Sequence, residues 1–238
     1  MSEFKIGLIL VGQMRTYESK QIIASYNKYF AGMNIDLYIC TWANKGHSNH
    51  HGHLNYNRSY SNDSITEDKL RSHYTQFPFF SLKKIKINTF SEWYNSLDHA
   101  YKQIYHTPFG GHANHNTSVP AEYMYQDAVT MLPTENIYDR VIILRPDMAL
   151  IDKIPISVKD DSNTIYFQCH CYLCMDHSWF SSQETIVKQL HDIYTDYISN
   201  KNETRSTDNN VLLHHHARKK QIRIVAYEKP QLEQIMTL

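Results

Sequence analysis

Tyr138-Asp139-Arg140-Val141-Ile142-Ile143-Leu144-Arg145-Pro146-Asp147-Met148 is the stretch that decides how this chain folds. Val141 to Leu144 are apolar without a break, and three of the four are β-branched. Such a run suits a strand buried on both faces, as in a parallel sheet covered by helices. The run predicts a strand over residues 138–144. Pro146 ends it, since proline cannot donate to a ladder. Asp147 therefore stands just beyond the carboxyl end of a central strand. In open α/β sheets that edge is where ligands bind.

Upstream, residues 4–11 (FKIGLILV) form a second buried run, which turns into Gly12-Gln13-Met14-Arg15-Thr16. Residues 18–30 carry Ile22, Ile23, Tyr26 and Phe30 at helical spacing. Residues 35–42 (IDLYICTW) predict the next strand, ending at Thr41 and Trp42. Ser64-Ile65-Thr66-Glu67 reads as a capping box that opens a short helix. Further on, the pattern predicts a strand over 82–89, a helix over 91–105 and a helix over 120–132. Beyond residue 147 come a strand over 165–173, one long helix over 183–198, a helix over 207–219 and a strand over 221–227. This alternation predicts βαβ units around a mostly parallel, Rossmann-like sheet flanked by helices, within one domain spanning residues 1–238.

Composition narrows the function. Lys plus Arg and Asp plus Glu number 24 each, so the chain is neutral overall. A protein held to nucleic acid or to an anionic membrane by bulk charge is not expected to be neutral. No segment reaches the roughly 18 to 20 apolar residues of a membrane-crossing helix. The apolar start lacks a basic leader, and the expected location is cytoplasmic. There is no Walker-A loop, no GxGxxG and no GxSxG elbow, which removes the glycines that P-loop, dinucleotide and serine-hydrolase chemistry require. The cluster Cys169-His170-Cys171-Tyr172-Leu173-Cys174 has zinc-ligating residue types but no second pair to complete a tetrahedral site. A reduced strand is the expected reading there. The His-rich loops over residues 43–63 and 107–118 are expected to be solvated loops or an acceptor-facing lid.

Three polar motifs fall at predicted strand ends. Arg15 offers a planar fork suited to phosphate, and Gly12 lets the backbone turn closely beside it. Thr41 and Trp42 close the second strand. Asp147 is placed to hold a divalent cation, manganese or magnesium, that bridges two phosphates. Each has a plainer alternative: Arg15 pairing with a carboxylate, Asp147 as a turn residue after proline.

The full series resembles a family of small bacterial and viral glycosyltransferases with a GT-A-like fold, found with surface-polysaccharide genes. It runs through Gly12-Gln13-Met14-Arg15-Thr16, the Thr41-Trp42 strand end, Arg145-Pro146-Asp147, Asp176-His177-Ser178-Trp179-Phe180-Ser181-Ser182 and Asn209 to His216. The resemblance implies a nucleotide-sugar donor and a hydroxyl acceptor, a glycan ahead of a hydroxymethylated DNA base. It implies that Gly12, Gln13 and Arg15 contact the nucleotide and its phosphates, with Arg145 fixing the strand end or the donor sugar. Asp147 becomes the metal-binding acid, Asp176 the catalytic carboxylate, and His215 or His216 a late metal or phosphate ligand. Only one acid remains of the family's DxD pair, because position 145 is Arg. A nucleotide-sugar or carbohydrate binding module without turnover is the reading from outside the enzymes.

Overall fold

The computed structural model describes residues 4–46, 61–97, 99, 118–150, 153–156, 163–168, 178–199, 209–227 and 232–234. The strands are β1 (Ile6–Val11), β2 (Ile35–Trp42), β3 (Asn44–Gly46), β4 (Ser61–Ser64), β5 (Phe80–Asn88), β6 (Arg140–Leu144), β7 (Met148–Leu150), β8 (Thr164–Gln168), β9 (Ser178–Ser181), β10 (Arg223–Tyr227) and β11 (Leu232–Gln234). The helices are α1 (Lys20–Tyr29), α2 (Glu67–Tyr74), α3 (Phe90–Ser96), α4 (Ser118–Val129), α5 (Gln183–Leu190), α6 (Ile193–Ser199) and α7 (Asn209–Lys219).

Seven strands make one sheet in the order β10-β8-β9-β6-β1-β2-β5. Every neighbouring pair is parallel except the two that β9 makes with β6 and β8, which are antiparallel. The chain is thus α/β with a mostly parallel sheet flanked by helices, as the alternation implied. Two small antiparallel pairs, β7 with β11 and β3 with β4, stand outside it.

Alternation along the strands separates two cores. Ile9 and Val11 of β1, with Tyr38, Cys40 and Trp42 of β2, face the layer built by α3 to α7. Leu8 and Leu10, with Leu37 and Ile39, face α1, α2 and β7. Both faces are covered, which is why β1 and β6 read as nearly unbroken apolar runs. Leu8, Ile9 and Leu10 are each 0% exposed, and burying one such side chain contributes about 1.5–3 kcal/mol.

Element ends differ from the sequence reading in instructive ways. The cap of α2 is Thr66, not Ser64: its side-chain oxygen accepts from the Lys69 backbone N–H at 3.3 Å. Ser64 is spent in β4. Helix α3 stops at Ser96, because Leu97 is extended (φ −69, ψ 140). The single long helix expected over 183–198 is two helices with a break at His191 and Asp192. Gln126 of α4 explains the restart. Its Oε1 accepts from the backbone N–H groups of Tyr194 and Thr195, both at 2.9 Å. Those are first-turn donors that a new helix cannot satisfy internally.

Candidate functional site

The topology locates the site before any side chain does. From β1 the chain passes through α1 to β2 on one side, and β6 later joins β1 on the other. The carboxyl ends of β1 and β6 therefore flank the point where strand order reverses, the position at which open α/β sheets bind ligands. Leu10 pairs with Leu144, so Gly12-Gln13-Met14-Arg15 and Arg145-Pro146-Asp147 leave the sheet side by side.

The first loop is shaped residue by residue. Gly12 continues the β1–β2 ladder through its N–H to the Cys40 carbonyl, 3.1 Å, and then turns with φ +123. That backbone region is costly for any residue with a Cβ. A Cβ at Gly12 would also sit 3.8 Å from Pro146 Cδ, which shows how closely the two loops approach. Met14 is fully buried, and the Tyr74 hydroxyl points to its sulfur at 3.9 Å. Pinned on either side, Gln13 and Arg15 pair: Arg15 Nε donates to Gln13 Oε1 at 2.8 Å. Ser19 then caps α1, accepting from the Ile22 N–H at 3.2 Å.

The second loop folds back on itself. Arg145 Nε donates to Asp147 Oδ1 at 3.0 Å, and Arg145 Nη2 donates to Asp147 Oδ2 at 2.8 Å. Arg15 Nη1 lies 3.6 Å from the same Oδ2. The Asp147 side chain is 3% exposed, while those of Arg15 and Arg145 keep 23% and 19%. Burial by itself would raise the Asp147 pKa, but the Arg145 and Arg15 charges and the Arg145 hydrogen bonds overrule it and hold the carboxyl below its ordinary value. Burial lowers the Arg15 pKa, with Asp147 working in the opposite direction. The three charged groups sum to one positive charge at the carboxyl edge. Such an arrangement can bind an anion, with guanidinium edges suited to phosphate.

As arranged, Asp147 does not fit a divalent cation. Both carboxylate oxygens are engaged by Arg145, and a second guanidinium stands beside them. A cation there would stand next to both guanidinium groups on a carboxylate that is 3% exposed. Among the described residues no group of three or more His, Cys, Asp or Glu is placed to hold a metal.

Other expected site residues lie elsewhere or outside the described part. Thr41 is 0% exposed and its hydroxyl turns to the Trp42 carbonyl, 3.4 Å. Trp42 is 6% exposed, stacked on Tyr123 at 5.9 Å and edge-on to Trp93 and Phe90. Both belong to packing beneath the edge. His216 is buried in the α5–α7 layer, with Nδ1 3.3 Å from Asp196 and Nε2 3.2 Å from Asp192. No described contact joins it to Asp147. His215 is exposed. Asp176, the cysteine cluster at residues 169, 171 and 174, and most of the two His-rich loops lie outside the described residues.

One group that the sequence motifs passed over is Glu122 of α4. It is 0% exposed, and neither carboxylate oxygen has a hydrogen-bond partner among the described residues. Burial pushes its pKa well above the usual carboxylate range. Tyr125, one turn along, packs edge-on against Trp179 at 5.6 Å. Only the helix position of Glu122 was readable from sequence. Its isolation comes from packing.

Comparison with known protein families and with curated proteins gives no match to this chain.

Proposed function

We propose that this chain is a glycosyltransferase of GT-A-like fold that moves a sugar from a nucleotide-activated donor to a hydroxyl acceptor, a glycan of the surface-polysaccharide kind. The observation that carries the reading is the 3.6 Å approach of Arg15 to Asp147 across the switch point of the sheet. Adjacent strands β1 and β6 bring two motifs separated by about 130 residues to the edge at which open α/β sheets bind ligands. Breaking a sugar–phosphate bond leaves negative charge on the departing nucleotide, and preorganised cations stabilise that charge as it develops. Arg15, held by Gln13, and Arg145, held by Asp147, supply such cations. In the family resemblance Asp176 takes the acceptor proton.

The acceptor is a glycan in this reading because the basic clusters are largely neutralised. On β5, Lys83 pairs with Asp36 at 3.0 Å and Lys86 pairs with Asp127. Near the end of α7, Lys219 pairs with Asp196 and Lys220 with Asp192. A surface that reads a nucleic-acid backbone needs such charges open to phosphate.

The test is release of nucleoside diphosphate from a panel of nucleotide sugars, with and without glycan acceptors. Release from one donor, accelerated by an acceptor hydroxyl, supports transfer. A donor that binds but is never cleaved, under any acceptor, would make the chain a binding module. Acceptor activity confined to DNA, with steep salt dependence, would move it to the base-modifying class.

A further inference from the structure

We infer that the Arg15–Arg145 pair meets the donor's phosphate charge without a divalent cation, and that Asp147 is the positioning residue of that pair instead of a metal ligand. The inference rests on the donor-binding reading and concerns the same edge of the sheet.

Three observations carry it. First, a cation ligand must present an oxygen lone pair at about 2.0–2.6 Å from the ion. Asp147 Oδ1 and Oδ2 both accept from Arg145, at 3.0 and 2.8 Å, and the side chain is 3% exposed. Second, an ion at those oxygens would stand beside two guanidinium groups, since Arg15 Nη1 is 3.6 Å from Oδ2. Like charges at such distances in a poorly hydrated site repel strongly. Third, the arrangement is already cationic and held. Gln13 takes the Arg15 Nε, and Arg15 Nη2 donates to none of the described residues. A planar, fixed guanidinium is the geometry that phosphate oxygens accept best. Asp147 thus keeps two arginines close that would otherwise push apart.

The role differs from that of a metal-binding acid in what each substitution does. A metal ligand is lost when its charge is lost. A positioning carboxylate is partly replaced by a group that still accepts from Arg145, so Asp147→Asn retains more nucleotide affinity than Asp147→Leu.

Calorimetric titration of the full chain with UDP, GDP, ADP, dTDP and CMP, each in EDTA and again in excess manganese, tests this. The nucleotide that binds is expected to do so with Kd values within about twofold in the two buffers. Arg15→Gln and Arg145→Lys each weaken it by about tenfold or more in both. Circular dichroism melts confirm that each variant is folded. Arg15→Gln is the safer of the two, since it leaves the Arg145–Asp147 pair intact. Nucleotide binding that collapses by more than about tenfold in EDTA overturns the inference and leaves the donor reading standing. Binding in EDTA that ignores both arginine substitutions also overturns it. No binding of any nucleotide in either buffer overturns the donor reading itself.

Discussion

Arg145 and Asp147, two residues apart across Pro146, form a two-point ion pair at the carboxyl end of β6, Nε–Oδ1 3.0 Å and Nη2–Oδ2 2.8 Å, with Asp147 buried and Arg145 half-buried. Pro146 lies between them, just past the end of β6. A second guanidinium, Arg15, arrives from the neighbouring strand end. Asp147 is therefore part of the fold's charge balance as well as of the candidate site.

Burial changes what loss of Asp147 is expected to do. For a carboxylate that only held a cation, Asp147→Ala would remove activity and spare the fold. Read with its partners, it leaves two partly buried guanidinium groups without a counter-charge, which costs on the order of 3 kcal/mol. Urea unfolding of Asp147→Ala against the parent chain measures that loss. The pH dependence has a definite sign. The folded-state pKa of Asp147 lies below its unfolded value of 3.8. Its contribution is present above that value and is lost as pH falls through the folded pKa. Acid unfolding of Asp147→Asn is expected to lack that portion of the loss.

Glu122 predicts the opposite pH behaviour. Its folded pKa is raised above 4.5, so holding it neutral costs nothing below the unfolded pKa and progressively more as pH rises toward the folded one. The slope is about 1.4 kcal/mol per pH unit. His73, His214 and His216, whose pKa values burial lowers, work the other way as pH rises through their range. The comparison of Glu122→Gln with the parent chain cancels those terms. The variant's relative stability is expected to climb as pH rises from the unfolded value toward the folded one, by up to about 1.4 kcal/mol per unit, measured by denaturant midpoint at each pH. A pH-independent difference would mean that Glu122 titrates normally.

Gln126→Ala tests the break between α5 and α6. Removing the side chain leaves the Tyr194 and Thr195 N–H groups without their cap. The expected loss is about 0.5–2 kcal/mol in equilibrium unfolding. Gln126→Glu, which keeps an accepting oxygen, is expected to recover most of it.

Gly7→Ala probes the amino end of β1. A Cβ there would lie 3.1 Å from Tyr138 Cδ2, against a ring whose hydroxyl donates to Asp36 at 2.9 Å. The ring must shift, and overpacking of this kind costs about 1–3 kcal/mol. Tyr138→Leu in the same background is expected to relieve part of that cost, read as a partial return of the denaturant midpoint.

Some of this was open to reading in the residues alone. The strand Ile35–Trp42 matches its expected span, a mostly apolar stretch rich in β-branched and aromatic residues and buried on both faces. The convergence of Arg15 and Asp147 follows from where their strands end. The break at His191 and Asp192 was not readable, because Gln126, which caps the restart, lies 68 residues from Tyr194 in the chain. The antiparallel strand β9 was missed for a related reason. Ser178-Trp179-Phe180-Ser181 is too short to show a period, and its direction is set by β6 and β8 on either side. Whether Asp147 faces a ligand or Arg145 depends on a side-chain rotamer that no sequence pattern carries. Glu122 looked like any helix glutamate.

The central claim is that the ends of β1 and β6 hold the phosphates of a nucleotide donor through Arg15 and Arg145. The most direct measurement is the melting temperature of the chain against a panel of nucleotides and nucleotide sugars, repeated on an Arg15→Gln, Arg145→Lys double variant. A ligand at about one hundred times its Kd is expected to raise the parent melting temperature by about 5–10 °C and to leave that of the folded double variant unmoved. A panel in which nothing shifts the parent chain, or in which parent and double variant shift alike, would contradict it.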